Sequence, residues 1–547
     1  MGGHLSHLKP KPLLNVLNST CGPVQGNLYR HVRIPRNHYF FISKNKVFKG
    51  NEEVHGYLGI PYAQPPIGIL RFKKPVSADV WTETRDCTKY GPRCPPSGML
   101  YENLQLPNTD IPDEANCLSL NVFCPQWEIK QSAKHPVMIF IHGGGFELSA
   151  SKDYCDYSLS GTLPLKDVIV VTVNYRVGAL GFLTTGDDSC RGNFGLWDLT
   201  LALKWVSTHI SSFGGDPKNV TLFGQSAGAV YLFHKLIIMS GSAHVPFAIR
   251  TEENQALVCM EYARSRGFSG SGSAELLEFF ENLPIEKLLE KTGLKHTVSI
   301  DLSFAPNLDG DFFPKPLEEL RRETRKKPVI VGMMEDEGLI TAFADGDFTT
   351  CEENFKRRVE SEYRGDVVEN PENVQKNIMN FYTNYCDESE ERKLVDYIGH
   401  SVYNAGVLLS AESLARAGNC VYFYVFDFWN PDGFGPVGSI VPFKGAAHCS
   451  ELRYIIGEGV YSKFDANEKD LKMMEYMTTM FTNFAKYGNP NIPGVTNWET
   501  YTEGSRHFHI DSTDSEMKDS FQENRCQFLK QIQEQSKRYQ HIFYGKK

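Results

Sequence analysis

The chain has 547 residues, of which 41% are hydrophobic and 12% are aromatic, and its formal net charge is −9. This composition is typical of a globular protein with a sizeable core, and the mildly acidic balance gives no basis for predicting nucleic-acid binding. The most apolar stretch, residues 168–183, is interrupted by Asn174 and Arg176, so it is predicted as a core strand and turn and not as a membrane span.

The N-terminus and the cysteines bear on where the protein resides. Residues 1–10 contain no apolar run of secretory type, and Met-Gly-x-x-x-Ser at positions 1–6 fits a signal for N-myristoylation of Gly2. The alternative is that the N-terminal segment is disordered and carries no lipid. A single myristoyl chain would give only weak membrane association. The 13 cysteines are scattered without a C-x-x-C pair, which disfavours a zinc site and fits a reducing compartment. We predict a cytoplasmic protein that can associate with membranes through a lipidated N-terminus, with no metal.

In chain order, the first part of the sequence predicts β structure interrupted by loops. Residues 57–60 are predicted as a strand and are followed by a proline-rich bend at 61–68. Residues 90–116 are proline-rich and polar, which indicates a long surface loop, and a strand reappears at 116–123. Later runs of consecutive apolar residues predict buried strands, at residues 136–141, 168–175, 220–223, 236–239, 328–332 and 421–428.

Helical patterns separate these strands. Residues 195–212 have apolar positions at helical spacing, and residues 251–325 and 350–410 are helical and charged, which indicates insertions that cap the sheet. Strands that alternate with helices over this length predict an α/β fold with a doubly wound, mostly parallel sheet. There is no internal repeat or low-complexity linker, so we predict one catalytic domain. The predicted divisions are a disordered segment at 1–19, the domain at 20–530 and a polar tail at 531–547.

Residues 220–230 contain the strongest chemical signal in the chain. The strand at 220–223 runs into Gly-Gln-Ser-Ala-Gly at 224–228, the G-x-S-x-G pattern of a nucleophile elbow. The chain must turn sharply from strand to helix there, and a Cβ at either glycine would strike a neighbouring strand or helix. We expect Ser226 to be held in a strained conformation, with its hydroxyl clear of the sheet and at the positive end of the following helix.

A glycine-rich loop follows an earlier strand. Residues 142–146, His-Gly-Gly-Gly-Phe, come directly after the strand at 136–141. Three glycines there allow backbone N–H groups to face a cavity, as in the oxyanion loop of an α/β-hydrolase. A plain glycine-rich turn is the alternative, and the elbow further along the chain weighs against it.

Candidate partners for the serine follow two later strands. A serine hydroxyl needs a base, and the base needs a carboxylate that holds its tautomer. Three acids, Glu335, Asp336 and Glu337, follow the strand at 328–332, and of the 16 histidines His448 lies in a small-residue loop past the last strand. The order serine, acid, histidine is that of this fold. The pattern predicts His448 as the base and leaves the acid open among three residues.

Together these motifs resemble those of a known family. Over residues 20–530 the chain resembles the type-B carboxylesterases, the cholinesterase-related family of α/β-hydrolases, and it most resembles invertebrate gut-type esterases. The α/β-hydrolase fold is thereby implied. The segments that carry the resemblance are residues 59–63, 70–72, 117–122, 142–146, 174–178, 224–228, 336–338 and 445–448.

The resemblance implies a role for each residue of the site. Ser226 is implied to be the nucleophile, His448 the general base and Glu337, selected by the Asp-Glu-Gly match, the orienting acid. The implied reaction is a two-step acyl transfer in which the serine attacks a small-molecule carboxylic ester, the alcohol leaves, and water or another alcohol takes the acyl group. No cofactor is implied. Backbone N–H groups would form the oxyanion hole, namely those of Gly144, Gly145 and Ala227.

The disulfides that the resemblance implies are only partly available. The first would join Cys94 to Cys117 beside the entrance loop. The positions that match the second are Phe268 and Phe280, and Cys526 of the third lacks a matching cysteine. We therefore expect one disulfide at most from this set.

The substrate pocket also departs from the cholinesterase pattern. The tryptophan that stacks on choline has no match near Leu100 and Tyr101. The acyl-pocket aromatics correspond to Ile300 and Leu302, which predicts a wider, aliphatic pocket. A quaternary ammonium substrate would lack its best cation–π partner, so acetylcholine is disfavoured.

Alternatives to a working hydrolase stay open at the level of sequence. The same triad could transfer the acyl group to a small-molecule alcohol, a catalytically dead member could act as an adhesion scaffold, and a membrane lipase would require acylation of Gly2.

The connection after the elbow is also short, because about a dozen residues expected from the resemblance are missing before Tyr231. This predicts a helix of about two turns after Ser226, and a weakened or inactive variant is the last alternative. The oligomeric state is not predicted.

Overall fold

The computed structural model describes residues 10–32, 51–98, 112–127, 134–229, 235–290, 304–344, 348–385, 389–459 and 466–546. Within these ranges, runs rich in β-branched and aromatic residues form the strands of two sheets. The strands are β1 (Lys11–Pro12), β2 (Leu17–Ser19), β3 (Gly22–Gln25), β4 (Asn27–Val32), β5 (Asn51–Pro61), β6 (Arg85–Asp86), β7 (Ser119–Pro125), β8 (His135–Ile141), β9 (Ile169–Val173), β10 (Gly215–Gln225), β11 (Leu236–Met239), β12 (Pro328–Met334), β13 (Cys420–Phe426), β14 (His507–Ile510) and β15 (Glu516–Lys518).

A 12-stranded sheet forms the centre of the molecule, in the order β1-β4-β5-β7-β9-β8-β10-β11-β12-β13-β14-β15, and β2, β3 and β6 form a small second sheet. In the 12-stranded sheet the strands from β8 to β14 pair in parallel with one another, and all other pairs are antiparallel. Every residue of β8 and β9 is buried, as expected for parallel strands that are covered on both faces. The predicted doubly wound, mostly parallel sheet is confirmed.

The helices lie between the strands in sequence, as the alternating pattern predicts. A π-helix, Gly399–Asn404, joins two of them without a break. Among the helices described, none is long and apolar enough to cross a membrane. The α-helices are α1 (Asp156–Ser160), α2 (Gly178–Phe182), α3 (Phe194–His209), α4 (Glu252–Arg264), α5 (Ser273–Asn282), α6 (Ile285–Leu289), α7 (Leu317–Glu323), α8 (Gly338–Ala344), α9 (Cys351–Glu362), α10 (Pro371–Tyr385), α11 (Glu390–Ile398), α12 (Ala405–Arg416), α13 (Leu452–Ile455), α14 (Glu468–Tyr487), α15 (Arg525–Gln535) and α16 (Lys537–Tyr544).

The central strand β8 contributes to two separate cores. Val137, Ile139 and Ile141 belong to one cluster of buried side chains, and Met138 and Phe140 belong to another. Successive side chains of a strand point to opposite faces of the sheet, so each cluster covers one face. The sheet is therefore packed on both sides, and its strands form a rigid scaffold that positions the loops at their ends.

The two ends of the chain differ from the prediction. Within segment 1–19, predicted to be disordered, β1 pairs with β4 and β2 pairs with β3. Residues 1–9, and Gly2 with them, lie outside the described residues. The prediction of a polar tail at 531–547 is wrong, because α15 extends into this segment and α16 follows it. Helix α16 buries one apolar face, made of Tyr539, Ile542 and Phe543.

The connection that follows β10 is short. Strands β10 and β11 are neighbours in parallel register, with Leu222 opposite Leu236 and Gln225 opposite Met239, so only residues 226–235 connect them. The described part of this connection is a single 3-10 turn, Ser226–Ala229, where the sequence predicts a helix of about two turns. Residues 230–234 lie outside the described residues.

Aromatic side chains pack together at the position where the resemblance would place a second disulfide. Cys94 and Cys117 form the first bridge. At the second position, Phe268 packs on Phe279 with ring centroids 5.3 Å apart, and Phe280 packs on Phe279 at 5.4 Å. A cluster of rings therefore connects the two segments that a covalent bond would otherwise join, and ring pairs of this kind stabilise by about 0.5–1.5 kcal/mol beyond their buried area.

A buried ion pair fixes the loop after β9 to helix α3. The guanidinium of Arg176 donates from Nε and Nη2 to the two carboxylate oxygens of Asp198, at 2.8 and 2.7 Å. The backbone N–H of Arg176 also donates to this carboxylate, at 3.0 Å, and both side chains are almost fully buried. Such a bidentate pair sets the position of the loop because neither charge has access to water.

Asp198→Asn should lower the free energy of unfolding by about 3–5 kcal/mol, because the buried Arg176 charge is left without a compensating carboxylate. Denaturant unfolding of the two proteins measures this difference. Glu53→Gln serves as the control, since it breaks the exposed Arg30–Glu53 pair and should cost less than about 1 kcal/mol. Equal losses in the two variants would contradict the assigned role of the buried pair.

Candidate active site

Ser226 lies at the sharp turn where β10 ends. Its φ is +56°, in the left-handed region that side-chain-bearing residues rarely adopt. A Cβ on Gly224 would lie 2.0 Å from the carbonyl oxygen of Gly228, and a Cβ on Gly228 would lie 2.3 Å from that of Ile141. Backbone packing therefore requires both glycines of the motif, and the strained serine that the sequence predicts is present.

The glycine-rich loop after β8 begins beside this turn. Strands β8 and β10 pair in parallel up to Ile141 opposite Gly224, so the two loops leave the sheet side by side. Gly144 has φ +96° and Gly145 has φ +59°, and within the described chain the N–H groups of both lack a hydrogen-bond partner. Unpaired donors beside a nucleophile are what an oxyanion requires.

A tyrosine that directly follows β9 holds the start of this loop. The ring of Tyr175 stacks on His142, with centroids 4.5 Å apart and planes 19° from parallel. Its hydroxyl donates to the carbonyl oxygen of His142 at 3.0 Å. Both residues are buried, so this contact fixes the start of the loop.

The three acids after β12 have three different partners. His448 Nδ1 lies 2.7 Å from Glu337 Oε2, and Glu337 Oε1 accepts from the backbone N–H of Met334 at 2.9 Å. The carboxylate is thus positioned at both oxygens and can hold the Nδ1–H tautomer of the imidazole. The other two acids bind elsewhere, Asp336 to Arg392 and Glu335 to Gln522.

An aromatic ring covers one face of His448. Tyr403 stacks on the imidazole at 4.3 Å, and its hydroxyl lies 3.0 Å from Thr341 Oγ1. Tyr403 belongs to the π-helix between α11 and α12, a local widening that often occurs at functional sites. Burial by itself lowers the pKa of His448, but Cys449, Tyr403 and the Glu337 carboxylate together raise this pKa well above its ordinary value.

The opposite nitrogen of His448 contacts a glutamine. Gln225 Nε2 lies 3.2 Å from His448 Nε2. Gln225 is the last residue of β10 and directly precedes Ser226 in the chain. His448 is thus held at Nδ1 by Glu337, and its other ring nitrogen contacts the residue next to the serine.

A second buried acid lies near Glu337. Glu451 is fully buried, and neither of its carboxyl oxygens has a hydrogen-bond partner among the described residues. Burial, followed by the charge of Glu337, raises the pKa of Glu451 to about 8. Two neighbouring carboxylates resist ionising together, and the raised pKa keeps most of the Glu451 carboxyl protonated at neutral pH.

The structure brings most of the predicted site residues to one edge of the sheet. Ser226 and Ala227 lie in the turn after β10, Gly144 and Gly145 in the loop after β8, and Glu337 and His448 after β12 and β13. The predicted pocket residues lie outside the described chain, namely Leu100, Tyr101, Ile300 and Leu302. Sequence reasoning missed three neighbours of Glu337 and His448. Gln225 was visible inside the elbow motif and Glu451 close after His448, whereas nothing in the sequence pointed to Tyr403.

Comparison with known proteins agrees with this geometry. A model described as the carboxylesterase family matches residues 43–529. The chain is 49% identical to an esterase named cest-33 from Caenorhabditis elegans, over 570 aligned positions that cover 100% of this chain and 99% of that protein. It is 32% identical to a medium-chain fatty acyl-CoA hydrolase precursor from Anas platyrhynchos, in an alignment that covers 90% of each chain. It is 29% identical to a cholinesterase from Mus musculus, over 87% of this chain and 82% of that one.

We predict that Glu337→Gln shifts the acid limb of the pH dependence of kcat/KM for an aryl ester to lower pH. His448 must be neutral to accept a proton, so its raised pKa places the wild-type limb above the ordinary histidine range, and the Glu337 charge is one cause. The limiting kcat should fall by roughly 10²–10⁴-fold. Asp336→Asn is the matched control on the adjacent acid and should leave the limb in place. A limb that stays at the same pH in Glu337→Gln would contradict the assignment.

Proposed function

Because this chain belongs to the carboxylesterase family and is a serine hydrolase of carboxylic esters, we propose that Ser226, His448 and Glu337 perform its chemistry. The observation that carries this proposal is the 2.7 Å contact of Glu337 with His448, one residue away from the serine through Gln225. Ester hydrolysis is favoured over acyl transfer and over a scaffold role, since the similar proteins are named as esterases and hydrolases.

In the proposed first step, His448 Nε2 takes the proton of the Ser226 hydroxyl as the oxygen attacks the ester carbonyl. The carbonyl oxygen becomes an oxyanion, to which Gly144, Gly145 and Ala227 would donate their backbone N–H groups. His448 then gives its proton to the departing alcohol, which leaves an acyl-serine. Removing one oxyanion donor typically costs about 3 kcal/mol of transition-state stabilisation.

The second proposed step repeats the first with water as the nucleophile. His448 takes a proton from water, the water oxygen attacks the acyl-serine, and the proton is returned to the serine oxygen as the carboxylic acid leaves. Throughout, Glu337 keeps the Nδ1–H tautomer and stabilises the transient imidazolium. The left-handed backbone of Ser226 supports this role, because it is the strained turn expected of a nucleophile elbow.

Ser226→Ala and His448→Ala should each lower kcat for short-chain aryl esters by roughly 10⁶-fold, because the two side chains act as one unit. Glu337→Gln should lose less than either. A fluorophosphonate probe should label the wild-type protein and not Ser226→Ala. The control is Ser242→Ala, which changes a buried serine that bonds the Gly406 carbonyl, and it should be labelled. Near-normal turnover in His448→Ala would refute the base assignment.

We propose uncharged acyl esters as the substrates, with medium-chain acyl groups accepted. The aliphatic character of Ile300 and Leu302 in the sequence supports this, as does the similar protein named for medium-chain fatty acyl-CoA. Across a series of p-nitrophenyl esters from acetate to decanoate, kcat/KM should be highest at an intermediate length. Acetylthiocholine should be hydrolysed more slowly than an uncharged thioester of equal length, since the sequence has no match to the choline-stacking tryptophan of the cholinesterases. A preference for acetylthiocholine would refute the substrate proposal.

We also propose that the protein is cytoplasmic and carries a myristoyl group on Gly2. The Met-Gly-x-x-x-Ser start and the ten free cysteines of the described chain support this. An alkynyl myristate given to expressing cells should label the wild-type protein and the control Gly3→Ala, but not Gly2→Ala. Labelled protein should divide between cytosol and membrane fractions, because one chain anchors weakly. Equal labelling of Gly2→Ala would refute the proposal.

A further inference from the structure

The turn directly before helix α15 has an unusual backbone. Gln522, Glu523 and Asn524 form a 3-10 turn in which all three residues have positive φ values, of +43°, +53° and +66°. Asparagine adopts this region more readily than glutamine or glutamate. The ion pair between Arg525, the first residue of α15, and Asp396 of α11 holds the turn beside the helix that leads into the π-helix, at 2.9 Å. Strain of this kind persists where surrounding contacts maintain it, and it often occurs at functional sites.

Gln522 is the centre of a series of four hydrogen-bonded side chains, which we call the Gln522 network. Its Oε1 lies 2.5 Å from His400 Nε2, and His400 Nδ1 lies 2.6 Å from the hydroxyl oxygen of Tyr382. The amide nitrogen of Gln522 donates twice to Glu335, to the backbone carbonyl oxygen at 2.9 Å and to Oε1 at 3.1 Å. The network therefore joins the π-helix, through His400, to the loop after β12, through Glu335.

Each hydrogen bond in the Gln522 network has a defined direction. Burial lowers the pKa of His400 to about 3, so its imidazole is neutral at neutral pH and carries one ring proton. The carbonyl oxygen of the Gln522 amide can only accept, which places that proton on Nε2. His400 Nδ1 then accepts from the hydroxyl of Tyr382, and the amide N–H groups of Gln522 remain for Glu335. Every donor thus has an acceptor, and the amide orientation is fixed because the Glu335 backbone carbonyl only accepts.

The π-helix packs directly on the loop that carries Glu337. A Cβ on Gly399 would lie 3.2 Å from the backbone nitrogen of Gly338 and 3.7 Å from the Cβ of Glu337. Further along the π-helix, Tyr403 stacks on the ring of His448. One short segment therefore contacts the acid loop at one end and the imidazole at the other, and its placement affects the geometry of both.

We propose that Gln522 is a positioning residue for the catalytic base, because it fixes the π-helix against the loop of Glu337. This inference rests on the proposed roles of Glu337 and His448. The side chain of Gln522 bonds one residue in each of the two segments, so its loss releases them from one another. Tyr403 then no longer has a fixed position on the face of His448, and the carboxylate is held less precisely at the imidazole.

The first test is Gln522→Met, which keeps the side-chain length and removes both the acceptor and the donor. With an aryl ester, kcat should fall roughly 5- to 100-fold, the range from the loss of one hydrogen bond to a displacement of about 1 Å at a reacting group. KM should change little, because no group that binds the ester is removed.

Gln540→Met is the matched control. Its amide donates to the carbonyl oxygen of Glu534 within the two C-terminal helices, so the substitution should leave kcat unchanged. A lower melting temperature with an unchanged kcat in Gln522→Met would show a merely structural role and would overturn the proposal. So would an equal fall of kcat in the two variants.

A second measurement needs no turnover. In full-length protein labelled with ¹³C-histidine, the ring resonances of His448 are identified by their loss in His448→Ala. They should move in Gln522→Met, because displacement of Tyr403 changes its ring current at the imidazole, and they should stay in place in Gln540→Met. Coincident His448 resonances in Gln522→Met and the wild type would overturn the proposal.

An exchange of groups keeps the test decisive if Gln522→Met fails to fold. Gln522→Glu retains an acceptor for His400 but places a second carboxyl beside Glu335, so kcat should fall. Adding Glu335→Gln restores a donor and an acceptor across that contact with their places exchanged. The double variant should therefore recover part of kcat, since the bond to the backbone carbonyl stays lost. A double variant no more active than Gln522→Glu would overturn the proposal.

The role of Gln522 and the esterase assignment fail in different ways. Hydrolysis retained by Ser226→Ala would remove the proposed function, whereas the His448 resonances would still report the link to Gln522. Conversely, loss of hydrolysis in Ser226→Ala, together with wild-type kcat in Gln522→Met, would leave the triad in place and overturn the role of Gln522.

Discussion

The turn at Ser226 packs backbone against backbone on three sides, and the rest of the site depends on this packing. Side chains are excluded at Gly224, Gly228 and Gly241, where a Cβ would lie 2.0 to 2.3 Å from a backbone oxygen. The left-handed backbone of the serine costs about 1–3 kcal/mol of strain. It persists because contacts with the surrounding strands hold the turn in this conformation. One consequence is that β8, β10 and β11 must be neighbours. The pairing of these strands therefore places the loop after β8 next to Ser226, and the loop needs no further contacts to reach it.

Much of the site could be predicted from the sequence because its signals are local. The elbow and the glycine-rich loop each lie within a few residues of a buried strand, and the same short range accounts for the position of His448. The acid could not be chosen in this way. Glu335, Asp336 and Glu337 are adjacent, and they differ only in partners that come from distant parts of the chain. Resemblance to a family selected Glu337, whereas the residue pattern alone left all three open.

The errors of prediction have physical causes as well. The last residues are polar on average, which suggested a tail, but one helical face buries Tyr539, Ile542 and Phe543 at a spacing that the sequence already contained. The second disulfide position is not an error of prediction, since the sequence predicts no bridge between Phe268 and Phe280. What the sequence did not show is that the rings of Phe268, Phe279 and Phe280 pack together there.

The π-helix that carries Tyr403 has a consequence for how this enzyme can change. Helices α11 and α12 and the π-turn between them form one continuous helix, and each residue of a regular helix turns it by about 100°. Loss of one residue from Gly399–Asn404 would therefore rotate Tyr403 off the face of His448 while leaving every catalytic side chain chemically intact. A change in the length of this helix therefore changes the direction in which Tyr403 points relative to His448. Insertions and deletions here can alter the active site in a way that no single substitution reproduces.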